Sequence, residues 1–196
     1  LVWQDMPSGN GQIGDKDADP TRSPEFVKQF DAELNAMISN LSNHPSIVMW
    51  VAFNEGMGQF DTKRVVELIK QRDPTRLVNN ASGWADRGVG DVIDWHMYPA
   101  PASPPTEAKR AAVLGEFGGL GLSVPGHQWK KENWGYKGVR DGEALTSKYE
   151  EYLKKVYDLR DKSGLAAAVY TQITDVEIEC NGWLTYDESP LHRGAD

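Results

Sequence analysis

Six stretches carry apolar runs with no clean alternation of apolar and polar positions: LVWQD at 1–5, IVMWVAFN at 47–54, RLVNNAS at 76–82, VIDWHMY at 92–98, AAVLGEF at 111–117 and AAAVYTQI at 166–173. Runs of this kind predict short strands covered on both faces, as in parallel α/β sheets. Between them the apolar positions change to helical spacing. Phe26, Phe30, Leu34, Met37, Ile38 and Leu41 follow Ser23-Pro24-Glu25, a helix start with a capping hydroxyl, a proline in the first turn and an acid at the positive end. Val65, Val66, Leu68 and Ile69 predict a shorter helix that stops at Asp73-Pro74. A third helix, from about Glu143 to Lys162, carries Leu145, Tyr149, Leu153, Val156 and Leu159, with Gly164 as its C-terminal stop. Beyond the last strand, Asn181-Gly182 predicts a tight hairpin turn.

Strands that alternate with helices predict an α/β fold. Neither G-x-G-x-x-G nor the P-loop pattern is present, which argues against a nucleotide-binding doubly wound sheet. Instead, polar chemistry gathers at the C-terminal ends of successive strands: Asp5, Glu55, Asn80, His96 with Tyr98, Glu116, then Gln172 and Asp175. Those ends build the active site of a (β/α)8 TIM barrel, which takes roughly 250 residues. Six βα units take about three quarters of that, close to the 196 residues of this chain. The expected architecture is therefore a partial barrel of about six units, strands three to eight, forming one domain over residues 1–196.

Composition narrows the partners. With 21 basic against 29 acidic residues the net charge is −8, which disfavours a nucleic-acid polyanion. The single cysteine, Cys180, excludes an intrachain disulfide and a cysteine-based metal cluster. The four histidines are scattered without H-x-x-x-H spacing, so a zinc site, and with it a metal-dependent barrel hydrolase, is disfavoured. No apolar stretch approaches twenty residues and no leader is visible, so no membrane association is expected. The compartment stays open between cytoplasm, periplasm and secretion.

Glu55 and Glu116 stand in matching contexts, VAFNEG and VLGEFGG. Glycosidic bonds are cleaved by two carboxyls, one donating a proton to the leaving oxygen and the other acting as nucleophile or base. The plainer reading makes each glutamate a helix cap or surface ion-pair partner. The shared context and the neighbouring Asn54 and aromatic residues favour the catalytic pair.

HPSIVMWVAFNEGMGQ, DPTRLVNNASGW, GDVIDWHMYPAP, VLGEFGGLGL and AVYTQITDVEIECNGWLTYDE resemble successive barrel motifs of glycoside hydrolase family two, the β-galactosidases, β-glucuronidases and β-mannosidases. The resemblance runs from Leu1 to about Glu188. It implies a retaining exo-β-glycosidase, β-galactosidase-like, acting on terminal β-linked carbohydrate with no cofactor and no metal. Glu55 is then the acid/base at the end of the fourth strand and Glu116 the nucleophile at the end of the seventh. Asn54 resembles the asparagine that binds the sugar 2-hydroxyl, and Tyr98 the tyrosine that holds the nucleophile. His96 is either a sugar contact or a satisfied buried histidine. Trp84 and Trp129, the latter in the aromatic-rich loop 126–136, are expected to wall the pocket. Gln172, Asp175 and Asp5 complete the expected substrate-binding set.

The chain also departs from the family. No Asn has Lys two positions on, so the Asn-x-Lys grip on a uronic acid is missing. Cys180 stands where relatives carry an aliphatic residue. The jelly-roll and immunoglobulin-like domains and the first two barrel strands, which precede this region in relatives, are expected to be absent. An alternative follows: an inactive excised piece that self-associates as a homo-oligomer through exposed barrel edges or only contacts carbohydrate.

Overall fold

The computed structural model describes residues 1–188. The elements follow in the order β1 (Val2–Asp5), α1 (Pro24–Leu41), β2 (Ile47–Val51), α2 (Thr62–Arg72), β3 (Leu77–Asn79), β4 (Val92–Met97), β5 (Ala111–Gly118), β6 (Leu120–Gly121), β7 (Lys137–Gly138), α3 (Gly142–Ser163) and β8 (Leu165–Thr171). Every expected strand and helix is present, and β6 and β7 are two short additions. The chain divides into two compact units, one of residues 1–95 with 106–112, the other of residues 96–105 with 113 onward, so the division falls within β4 and β5.

In the first unit, the Ser23 hydroxyl accepts from Phe26 N–H at 3.2 Å and opens α1, as its sequence requires. Phe30, Leu34 and Ile38, four residues apart, form the buried stripe of that helix. Phe30 stacks on Phe53 at 5.5 Å and meets Phe60 edge-on at 5.1 Å. Against this cluster lies the parallel sheet β1-β2-β3, with Trp50 aligned to Gln4 on one side and Val78 on the other. A polar knot fixes the N-terminal end of β2. Arg76 donates to the Ile47, Ser42 and His44 carbonyls and pairs with Asp73 at 2.5 Å, while its guanidinium lies 5.5 Å from the Trp50 ring. Burial alone would push the Asp73 carboxyl up, but hydrogen bonds from Thr75, Arg76 and Trp50 outweigh it and hold the group well below the usual carboxylate range.

In the second unit the strand order is β4-β5-β8. Asp141 caps α3 by accepting from Ala144 N–H at 2.8 Å, and Gly164 ends it at φ +72°. Leu145 and Tyr152 of that helix pack with Leu114, Phe117, Leu120 and Leu165. Tyr149, Tyr170 and Trp183 add an edge-to-face aromatic group beside them.

Two expectations need correction. Burial on both faces holds for β2 and β5, but β1 and β8 are largely half-exposed or exposed. Each is an edge strand of its sheet, with a strand on one flank only among the described residues. The tight turn lies at Glu177-Ile178, where Val176 and Glu179 exchange backbone hydrogen bonds and Glu177 has φ +53°, not at Asn181-Gly182. Gly182 serves a close approach instead, since a Cβ there would stand 2.3 Å from Asp175 N.

Candidate active site

In the first unit, β2 runs into Ala52 and Phe53, both buried, and then reaches Asn54 and Glu55. Asn54 pairs with Ser82 in a parallel bridge. Ser82 N–H donates to Phe53 O at 2.8 Å, while its carbonyl accepts from Glu55 N–H at 2.9 Å and Trp84 N–H at 3.2 Å. Gln12 closes the other side by donating from Nε2 to Glu55 O at 3.1 Å. Three of the expected site residues, Asn54, Glu55 and Trp84, thus gather around one serine.

The backbone at this turn is unusual. Glu55 has φ +53° and Gly56 φ +71°, and a non-glycine residue held there costs about 1–3 kcal/mol. At Gly56 a Cβ would stand 2.1 Å from Ile13 O, so only glycine fits. Strain of this kind persists where the surroundings over-determine the conformation, and it concentrates at functional sites.

In the second unit, Glu116 lies on β5 with its side chain 31% exposed, and the buried His96 ring (1% exposed) places Nδ1 3.5 Å from Glu116 Oε2. The same oxygen accepts a hydrogen bond from Tyr98 Oη. Burial first, then the Glu116 charge, pushes the Tyr98 phenol far above its ordinary range. It therefore stays protonated as a donor wherever Glu116 is ionised. The Thr171 side chain, at the end of β8, also hydrogen-bonds Tyr98.

Tyr136, which its sequence context does not single out, stacks on Tyr98 with ring centroids 3.7 Å apart and 5° between planes. Trp134 meets Tyr136 edge-on at 5.1 Å. Trp129, the expected wall, lies against Tyr186 at 5.0 Å and is 49% exposed. The loop is rich in aromatic residues, but spacing alone does not choose which ring folds back onto Tyr98.

The remaining candidates have structural work. Gln172 donates from Nε2 to the Asn181 side chain at 2.7 Å. Asp175 is buried, accepts from Gly182 N–H at 2.8 Å and has its carboxyl pushed up by burial. Both hydrogen bonds tie the segment after β8 to itself. Asn80 likewise braces its own loop, donating to Asp86 and accepting from Arg87 N–H. Asp5 ends β1 with its side chain exposed.

The sequence model described as "Glycosyl hydrolases family 2, TIM barrel domain" matches residues 2–110. That span takes in Glu55 and stops before Glu116. A β-galactosidase of Klebsiella pneumoniae is 30% identical over 112 residues, which are 54% of this chain and 10% of that protein. A β-galactosidase of Priestia megaterium is 32% identical over 92 residues, covering 46% and 9% respectively. Among solved structures, Bacteroides uniformis β-glucuronidase 2, covalently bound to a cyclophellitol-6-carboxylate aziridine, aligns with TM-score 0.64 at 16% identity. It covers 97% of this chain and 27% of its own. A β-galacturonidase of Eisenbergiella tayi bound to galacturonate gives TM-score 0.60 at 19% identity over 87% of this chain and 36% of its own. The chain thus spans about a tenth of the length of the curated relatives it matches.

Proposed function

The chain belongs to glycosyl hydrolase family 2 through its TIM barrel domain, and from that premise we propose that it carries the catalytic pair of a retaining β-glycosidase. In this reading β1, β2, β3, β4, β5 and β8 are strands three to eight of the barrel. Glu55 then follows the fourth strand and Glu116 lies on the seventh. The observation that carries the reading is the setting of Glu116: a strand-borne, partly exposed carboxylate that accepts from a phenol whose ionisation is pushed up by burial and the Glu116 charge.

The chemistry takes two steps. Glu116 attacks the anomeric carbon while Glu55 gives its proton to the departing glycosidic oxygen, leaving the sugar esterified to Glu116. Glu55 then removes a proton from water, which displaces Glu116 and releases the sugar with its starting configuration. The Tyr98 hydrogen bond orients the carboxylate for attack and steadies it as the leaving group of the second step. Asn54 reaches the sugar 2-hydroxyl, where a hydrogen bond strengthens in the transition state, and Trp84 offers an aromatic face to the ring.

For the sugar, a neutral galactose-type glycone is proposed over a uronic acid. The relatives similar in sequence are β-galactosidases, and no Asn carries a Lys two positions on. The likeness to uronidases lies below 20% identity and bears on fold alone. Incubation with 4-nitrophenyl β-D-galactoside, followed by proton NMR of the first sugar released, tests the reading. The β anomer is expected first, and initial release of the α anomer would overturn retention.

A second reading has its own support. Val2 of β1 and Val169 of β8 are each 40% exposed on edge strands, which suits self-association of an inactive chain through those edges. A monomer by light scattering that also hydrolyses the substrate would discard it.

A further inference from the structure

We infer that Tyr136 is a positioning residue, which holds the Tyr98 hydroxyl on Glu116 by stacking on the Tyr98 ring. This goes beyond the catalytic assignment above, because it concerns how loop 119–138 governs the carboxylate, whatever sugar the site takes. Aromatic pairs left to themselves favour offset or edge-on arrangements. The Tyr98 and Tyr136 rings are 5° from parallel with centroids 3.7 Å apart, closer than the usual roughly 4.5–7 Å, and three features hold them there.

The first is Gly119, at φ +59°. A Cβ there would stand 2.4 Å from Tyr136 Cδ2 and 2.8 Å from its Cβ, so only a glycine lets the ring lie where it does. The second is the β6–β7 pair, in which Leu120 aligns with Lys137 and Gly121 with Gly138. Lys137 N–H also donates to Gly119 O at 3.0 Å, pinning the residue next to Tyr136. The third is Trp134, edge-on to Tyr136 at 5.1 Å, itself held by backbone hydrogen bonds to Ile178 O and from Cys180 N–H. Behind Tyr98, the Gly118 N–H donates to Pro99 O at 3.0 Å and fixes the phenol's own stretch of chain. Tyr98 is thus gripped between a strand and a loop, with its hydroxyl donating to Glu116 Oε2 and also bonded by Thr171. Through the stack, the loop reaches the carboxylate by way of the Tyr98 hydrogen bond.

The test uses the whole chain labelled with 13C at the glutamate carboxyl carbon, with the Glu116 signal identified by its loss in Glu116→Gln. Removing a hydrogen bond to an ionised carboxylate moves its titration to higher pH. Tyr98→Phe is expected to move the Glu116 midpoint up by about half to one pH unit. Tyr136→Ala is expected to give most of that shift, Tyr136→Phe almost none, and Gly119→Ala a shift in the same direction as Tyr136→Ala. A Glu116 titration in Tyr136→Ala equal to that of the unaltered chain would overturn the inference. So would a shift in Tyr136→Phe as large as in Tyr136→Ala, since the stacking face is kept in the former. Circular dichroism of each variant confirms folding, and Gly119→Ala supplies the readout if Tyr136→Ala does not fold. The measurement needs no turnover, so loss of hydrolysis would overturn the glycosidase reading and leave this one standing.

Discussion

Tyr98 donates its hydroxyl to the carboxylate of Glu116, a residue 18 positions further along the chain. Burial and the adjacent charge keep that phenol protonated, so the bond persists through the pH range in which a glycosidase works. A hydrogen bond to a charged group contributes about 1.5–3 kcal/mol, and about 1.4 kcal/mol is tenfold in rate. Tyr98→Phe should therefore lower kcat by about 10- to 100-fold with KM little changed. Steady-state kinetics on an aryl β-galactoside reads both constants. A rise in KM with kcat unchanged would make Tyr98 a pocket wall instead.

Glu55 sits on a strained turn that glycine alone can complete. Glu55→Ala should lower kcat by about 10²- to 10⁴-fold on a substrate with a poor leaving group. The loss should be far smaller with 2,4-dinitrophenol, which departs without a proton. Added azide should restore turnover and yield the β-glycosyl azide. Equal losses on both substrates, with no rescue, would remove Glu55 from the acid/base role. Gly56→Ala, which sets a methyl against Ile13 O, should cost about 2 kcal/mol, or about 4–8 °C in Tm, as thermal denaturation will show.

The polar knot at the N-terminal end of β2 gives the fold a pH signature. The Asp73 carboxyl is held well below its unfolded range, so its contribution is full above about pH 4 and is lost as pH falls through the native value. Asp73→Asn leaves the Arg76 guanidinium and part of the Trp50 and Thr75 hydrogen bonding without a charged partner. It should destabilise the chain by about 2–4 kcal/mol at pH 7. That difference should shrink steadily below about pH 4. Urea titrations of both chains at several pH values check the sign; a difference that grows on acidification would contradict it.

Cys180 is the only thiol and is buried beside Asp175. Burial and the neighbouring carboxyl push it up to about 11, which leaves about a hundredth of the thiolate that an ordinary cysteine offers at pH 8. The folded chain should react with Ellman's reagent at least about 100-fold more slowly than the urea-unfolded chain. Equal rates would mean that the segment after β8 opens freely.

Much of this was legible in the residues. Ser23-Pro24 and Gly164 mark helix ends because capping chemistry is local, and unbroken apolar runs mark strands because burial acts position by position. Glu55 and Glu116 stood out because they share one context, an apolar run that meets a carboxylate and then glycine. Tyr136 was not legible, because its partner Tyr98 is distant in sequence and the choice among Trp129, Trp134 and Tyr136 rests on Gly119 and on two-residue strands with no apolar pattern. The local hydrogen bonds of Gln172 and Asp175 were not legible for a related reason. A polar residue after a strand can turn toward a ligand or toward its own loop, and only the tertiary fold decides between them. Asn181-Gly182 has the composition of a hairpin turn, yet its glycine answers to the crowding at Thr174 and Asp175.

The most direct test of the central claim is to find where a trapped sugar is attached. The chain is incubated with 2-deoxy-2-fluoro-β-D-galactosyl fluoride, whose fluorine slows release of the covalent intermediate, then digested with protease and mapped by mass spectrometry. The account predicts one added fluorosugar, on Glu116, and none in Glu116→Gln. Attachment to any other residue, or hydrolysis of an aryl galactoside with no trapped sugar, would contradict it.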